Sequence, residues 1–270
     1  MSAIRKLVVD SVKRMADSAG VAVVPHWRMR DLPLANYLRQ ILLQYDIEIV
    51  IDVGANQGQY HDLLRDEVGF KGQILSFEPV QKYVAMLSEK AREDKAWRIY
   101  DFALGASSGS AKINVATSAG LDSFLSPRID AVPHFWKDNP ISHEETAQIR
   151  TLDDVLQQAG IDCGKQGVYL KLDTQGFDLE VLKGAPIALE QIKALQTEAS
   201  VRPIYYGMPT YLETLSCLNE RGFDLSAMFP ISYDDMLRVI ELDCIFINAK
   251  KLTPAPVDRS RQGRRLPTGL

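Results

Sequence analysis

Four carboxylates stand where apolar runs end. Asp52 follows Ile49-Val50-Ile51, Glu78 follows Ile74-Leu75-Ser76-Phe77, Asp173 follows Val168-Tyr169-Leu170-Lys171-Leu172, and Glu198 closes the run from Ile192 to Thr197. Short apolar runs of this kind read as strands buried on both faces of a parallel sheet. Ligands of such sheets bind outside the carboxyl ends of the strands, where these acids would sit. The first acid is followed by Gly54, Asn56 and Gly58, and then by helical spacing of Tyr60, Leu63, Leu64 and Val68. The unit is therefore strand, glycine turn, helix. Glycine lets the backbone approach a ligand, and the helix start offers free N–H groups.

The spacing narrows the ligand. It matches neither G-x-G-x-x-G nor G-x-x-x-x-G-K-[ST], and no lysine follows Gly58 to hold phosphates, which disfavours dinucleotides and triphosphates. An acid at the position of Asp52 would repel a pyrophosphate and suit a ligand bearing an ammonium group. S-adenosylmethionine carries an ammonium and a sulfonium and no phosphate. Glu78, about 20 residues beyond the glycines, stands where nucleotide-binding α/β folds grip a ribose. A glycine turn alone also occurs in α/β folds without any ligand; the second acid is what adds weight to a nucleoside.

The elements that must position these residues follow in chain order. Residues 2–19 show the spacing of an amphipathic helix, with Ile4, Leu7, Val8, Val12 and Met15 on one face. Such a helix packs on its own domain or a second subunit, giving a homodimer, or lies on an anionic membrane surface. Val21–Val24 reads as a short strand and residues 33–45 as a helix leading into the first core strand. Further helices are expected over residues 80–92, 151–158, 177–188 with a break at Gly184 and Pro186, and 210–221. A third strand runs from Trp97 to near Phe102, and Ala111–Ala116 forms a strand paired beyond it. Phe223–Met228 and Leu242–Ile247 form a closing antiparallel pair. Residues 117–148 lack periodicity and hold His134, His143, Phe124, Phe135 and Trp136; they read as a lid over the site rather than a bare surface insertion. The expected organisation is an N-terminal helical extension (1–45), one catalytic domain (46–249) and a flexible basic tail (250–270) rich in proline and arginine, able to touch lipid.

Bulk composition is that of an ordinary globular chain: 270 residues, 46% apolar and 24% charged, with a net charge of −4 that argues against a general nucleic-acid binder. The three cysteines, Cys163, Cys217 and Cys244, have no zinc spacing and imply no disulfide framework. Charges interrupt the N-terminus, so neither a signal peptide nor a membrane span is expected, and the compartment reads as cytoplasmic.

The order of these motifs resembles one branch of the class I methyltransferases, the FkbM family. The matching residues are Asp52-Val-Gly-Ala-Asn-Gln-Gly58, Phe77-Glu78-Pro79, Ala103-Leu-Gly105, Leu121-Asp-Ser-Phe-Leu125, Thr151-Leu-Asp-Asp-Val-Leu156, Leu170-Lys-Leu-Asp-Thr-Gln-Gly176 and Glu180-Val-Leu-Lys-Gly184, together about residues 49–200. One departure is Gln175, where the family commonly has an acid. The resemblance implies an α/β fold of Rossmann-like type: a seven-stranded sheet, mostly parallel with one antiparallel strand, and helices on both faces. It implies S-adenosylmethionine as cofactor. Gly54, Asn56 and Gly58 would shape the loop under its methionine portion, Asp52 would contribute charge near its ammonium, Glu78 would take the ribose and Ala103 would meet the adenine. Asp173 would lie beside the transferable methyl.

Transfer to a hydroxyl calls for a general base. Asp173 is the first candidate, Glu198 the second and His143 the third. No metal is expected, although Asp173 and Glu198 could share a divalent ion. Family members often methylate sugar hydroxyls in glycans, glycolipids or glycosylated natural products, and Trp136, Tyr205, Tyr206 and Tyr211 are aromatic residues available to a sugar. Two rivals remain: a non-catalytic nucleoside-binding or scaffold protein, and a nicotinamide-dependent oxidoreductase, which the glycine spacing disfavours.

Overall fold

A computed structural model describes residues 31–130 and 132–251. The helix expected over residues 2–19, the strand at 21–24 and the basic tail beyond Lys251 lie outside the described residues. Strand β1 (Ile49–Val53) is buried at every position and pairs in parallel with β2 (Gln73–Phe77) on one side and β7 (Val168–Leu172) on the other. A strand so enclosed must be apolar on both faces, which is why Ile49, Val50 and Ile51 form an unbroken run. The sheet is completed by β3 (Trp97–Tyr100), β8 (Ala194–Ser200), β9 (Phe223–Tyr233) and β10 (Val239–Asn248), in the order β3-β2-β1-β7-β8-β10-β9. Strand β10 alone runs antiparallel, to both β8 and β9. This is the class I methyltransferase sheet, with the chain reversing its direction of winding between β1 and β7. A crevice opens above the strand ends at such a switch point.

Helices cover both faces. On one, α1 (Leu32–Gln44) and the helical segment α2 pack Leu38, Ile41, Leu42, Tyr60 and Leu64 on Val50, Ile74, Tyr169, Ala194 and Ile245. Segment α2 begins as Gln59–Asp62 and continues as a π-helical turn, Leu63–Val68. On the other face, α5 (Leu152–Ala159) and α6 (Asp178–Lys183) bring Val155, Leu156, Val181 and Leu182 to Ile49, Ile51, Leu170 and Leu195. Helix α5 is capped: the Thr151 hydroxyl accepts from the Asp154 N–H at 3.2 Å, satisfying one of the free donors of its first turn. The expected break at Gly184 separates α6 from the short α7 (Pro186–Leu189). Helix α3 (Gln81–Lys90) follows β2, and α8 (Tyr211–Glu220) precedes β9.

The stretch between β3 and α5 departs from expectation. Strand β5 (Gly109–Ala116) pairs with no core strand. It forms a separate three-stranded sheet, β4-β6-β5, with β4 (Ala103–Leu104) and β6 (Ile141–Arg150). The irregular stretch expected to reach residue 148 therefore ends before Ile141, and it also contains a short helix, α4 (Pro133–Asp138). Strand β6 escaped the sequence reading because it is polar along most of its length, with Ser142, His143, Glu144, Thr146 and Gln148 exposed and Ala147 alone buried. No helix among the described residues is long and apolar enough to cross a membrane.

Candidate active site

The turn after β1 is built on close backbone approach. Gly54 has φ 80°, and a Cβ placed on it would lie 1.9 Å from the Asp173 carbonyl oxygen. Only glycine fits there, so the ends of β1 and β7 can meet and form the floor of one cleft. Gly58, at φ 84°, caps the start of α2. Glu78, just past β2, holds the turn in place: one carboxylate oxygen accepts from the Asn56 N–H at 2.8 Å and the other from the Val80 N–H at 2.9 Å. Burial pushes this carboxyl up to about 7, although both N–H donors pull it down.

The resulting cleft encloses about 580 Å³, including space open to solvent. Gly54, Asn56, Glu78, Ala103 and Asp173 line it, so five of the expected cofactor residues meet in one place. Its walls are apolar where a flat aromatic ring would lie: Phe77, Pro79, Leu104, Ile113, Phe124 and Phe177. Phe124 comes from the expected lid stretch and packs on Phe177 with ring centroids 4.9 Å apart. Asp122 enters the same wall. One of its oxygens accepts from the Ala116 N–H at 2.8 Å; the other is buried without a partner. A buried bare acceptor facing a cleft calls for a ligand donor. With Glu78 and the apolar wall, this donor-seeking surface fits an adenosine, which offers ribose hydroxyls and an exocyclic amine.

Asp52 does not face the cleft. It is fully buried, accepts from the Ser76 hydroxyl at 3.0 Å and forms an ion pair with the Lys171 ammonium at 3.0 Å. Its charge is therefore spent inside the protein rather than on a ligand ammonium. Gly58 likewise shapes the turn from behind, beside Trp97 and Leu87, without lining the cleft.

Lys171 is the residue that the sequence reading passed over. It points from the middle of an otherwise apolar strand and is 5% exposed. Its ammonium meets Asp52, the Gly54 carbonyl at 3.2 Å and Asp173 at 3.3 Å. Burial opposes its charge, but Asp52 and Asp173 more than restore it, and the ammonium is held above its ordinary range. A charged residue inside an apolar strand that ends in an acid was the available signal.

Asp173 stands at the mouth, with its side chain 41% exposed. The Gln175 amide bridges it to Glu198: the Nε2 donates to Asp173 Oδ1 at 3.3 Å and to Glu198 Oε2 at 2.8 Å. Gln175, at φ 51°, and Gly176, at φ 92°, form the turn between β7 and α6. Asp178 fastens that turn by accepting from the Thr174 N–H at 2.9 Å and the Thr197 hydroxyl at 2.6 Å. Burial, then the neighbouring Asp173, pushes Glu198 well above the usual carboxylate range. Thus the first two base candidates are brought together. The third is not: His143 is half exposed near the start of β6, bonded to Ser142 and Glu145, and does not line the cleft, although it shares a strand face with Glu145 and the buried Ala147. Among the described residues no group of acids, histidines or cysteines is arranged to hold a metal ion.

The aromatic residues considered for a sugar separate. Trp136 and Tyr205 pack on each other at 5.3 Å and are buried, since the Trp136 indole donates to the Ile204 carbonyl and the Tyr205 hydroxyl to the Leu121 carbonyl. They hold the 121–141 stretch in place and offer no open ring. Tyr206 is 52% exposed.

Comparison with known proteins gives a family and several relatives. The family model described as the methyltransferase FkbM domain matches residues 52–225. The 2-O-methyltransferase NoeI of Sinorhizobium fredii is 26% identical over 224 residues, spanning 78% of this chain and 85% of the relative. Among solved structures, methyltransferase FkbM of Methylobacillus flagellatus is 16% identical with a TM-score of 0.45, covering 75% of this chain and 44% of that longer one. Fibrillarin of Aeropyrum pernix, solved with natively bound S-adenosyl-L-methionine, is 11% identical with a TM-score of 0.42, over 80% of this chain and 74% of its own.

Proposed function

The chain belongs to the FkbM family of S-adenosylmethionine-dependent methyltransferases, and on that premise we propose that it methylates a hydroxyl of a sugar, in a glycan, a glycolipid or a glycosylated natural product, with Asp173 as the general base. The observation that carries the reading is the position of Asp173. It is an exposed carboxylate at the mouth of the nucleoside-shaped cleft, fixed by Lys171 on one oxygen and Gln175 on the other. The likeness to a 2-O-methyltransferase supports oxygen as the methylated atom. The three cysteines are unbridged, which fits a reducing, cytoplasmic setting.

The cofactor, when bound, supplies an electrophilic methyl on sulfonium; the protein binds, orients and excludes water. Glu78 and Asp122 would hold the nucleoside through its donors, and Phe124 and Phe177 would wall its ring. Gly54 and Asn56 would shape the loop beneath the methionine portion. Asp173 would accept the proton of the acceptor hydroxyl. Lys171 steadies the carboxylate charge before that transfer. Gln175 fixes its rotamer and ties it to Glu198, which stands as the second proton-handling group.

The test is calorimetric titration with S-adenosylmethionine, followed by transfer of labelled methyl to a panel of sugars. Asp173→Asn is expected to bind cofactor within about threefold of the parent and to lose about 100-fold or more in kcat, in line with the typical contribution of a general base. Full turnover in Asp173→Asn with normal cofactor binding would rule Asp173 out as the base.

A further inference from the structure

Beyond Asp173, away from the nucleoside, Glu198 belongs to a second polar group whose other members have no part in the proton transfer. Strand β8 contributes Glu198 and Ser200; β10 contributes Asp243 and Glu241. The register sets Asp243 opposite Glu198 and Glu241 opposite Ser200. Residues directly opposite across an antiparallel pair project to the same face, and so do residues two apart on one strand. All four therefore share one face, beside Asp173 and joined to it through the Gln175 amide.

Two atoms in this patch lack any partner. Ser200 is 1% exposed, yet its hydroxyl makes no hydrogen bond, and one oxygen of Glu241 directly across from it is buried and bare. Buried polar atoms are ordinarily paired, so two facing orphans mark the place of an absent donor. The charge is unbalanced as well. No ion pair joins Glu198, Glu241 or Asp243 to a basic residue among the described residues, and the Lys171 ammonium is already shared by Asp52 and Asp173. Burial, then the nearby Asp173, lifts Glu241 to about 7. Asp243 rises to about 6 for the same two reasons, against the pull of the Gln196 amide. The shared cause is carboxyl groups buried close together. The patch has no set of ligands arranged for a metal ion.

We propose that this patch is the acceptor subsite and that it takes a protonated amine, so that the substrate is an amino sugar or another hydroxyl compound bearing an ammonium group. The proposal rests on the methyl-transfer reading and names the substrate class of the same site. An ammonium carries three donors and a positive charge. Those donors would meet Glu198, Glu241 and the Ser200 hydroxyl, and the charge would offset the buried carboxyl groups. A neutral sugar would supply donors and leave the charge unbalanced; a phosphate or carboxylate would be repelled.

The test uses the full chain. S-adenosylhomocysteine is titrated first by calorimetry, and the loaded protein is then titrated with a glucosamine tetramer and with its N-acetylated counterpart. The charged tetramer is expected to bind at least about tenfold more tightly, in line with the strength of hydrogen bonds to charged groups. Glu241→Gln should erase that preference and Ser200→Ala should weaken it, while both keep the parent affinity for S-adenosylhomocysteine, which also shows that they fold. Equal affinity for the two tetramers, binding of neither, or a preference unchanged in Glu241→Gln would overturn the proposal while cofactor binding stands. Failure of the parent to bind S-adenosylhomocysteine would overturn the methyl-transfer reading and this proposal with it.

Discussion

Replacing Lys171 with methionine keeps most of the volume of the side chain and removes its charge. Three oxygens then lose their common partner: the Asp52 carboxylate at 3.0 Å, the Gly54 carbonyl at 3.2 Å and the Asp173 carboxylate at 3.3 Å. Asp173 is partly exposed and can turn to water. Asp52 has no exposure and keeps only the Ser76 hydroxyl. Removing one partner of a buried ion pair costs about 3–5 kcal/mol, because the other charge is left unpaired. At about 2–4 °C per kcal/mol for a domain of this size, the expected fall in Tm is about 6–20 °C. Asp52→Asn combined with Lys171→Met removes both charges and leaves a neutral amide that can still meet Ser76. It should recover more than half of the loss, because replacing both partners of a buried pair is often close to neutral. The assay is urea unfolding of the parent, the two single variants and the double variant. The coupling energy between the two sites should exceed about 1.5 kcal/mol, within the range for residues in direct contact. A Lys171→Met protein as stable as the parent would refute the reasoning. So would stability losses that add to within about 0.5 kcal/mol, the range for independent sites.

Glu78 should make cofactor binding depend on pH. Its carboxyl sits at about 7 in the free protein, and the charged form is the better acceptor for ribose hydroxyls. Affinity for S-adenosylhomocysteine is thus expected to strengthen from pH 6 towards 8, and Glu78→Gln to flatten that slope and weaken binding by about 10- to 100-fold, the worth of a hydrogen bond to a charged group. The same raised carboxyl favours the folded apo-protein below its ordinary value of 4.5. That contribution, about 3 kcal/mol, is lost as pH rises through about 7, and unfolding of Glu78→Gln should lack that change. Gln175→Glu replaces the bridging donor with a third carboxylate between Asp173 and Glu198. Turnover should fall about tenfold, the acid limb of the kcat profile should move about one unit to higher pH, and cofactor affinity should stay within about threefold; an unmoved profile would remove Gln175 from the positioning of the base.

Much of the cofactor side of the cleft was legible in the sequence, since it is local. An apolar run, an acid and spaced glycines force a strand, a tight turn and a helix start within residues 49–60, whatever the rest of the chain does. Glu78 and Asp173 were visible as carboxylates at strand ends for the same reason. The terminal β9–β10 pair was visible because two strands without a helix between them have little choice but to meet. Strand β6 was hidden by its largely polar sequence, and Trp136 was read as a cover when it is an interior prop. What only the tertiary structure decided is which charges share a space. Lys171 meets Gly54 across 117 positions of chain, and that contact follows from the parallel register of β1 and β7. Glu241 faces Ser200 through the antiparallel register of β10 on β8. A slip of one residue in either pairing would turn those side chains to the opposite face of the sheet. Residue types and short spacings therefore determined the cofactor turn by themselves, whereas the balance of buried charge beyond it was set by strand register, a long-range property that no local pattern carries.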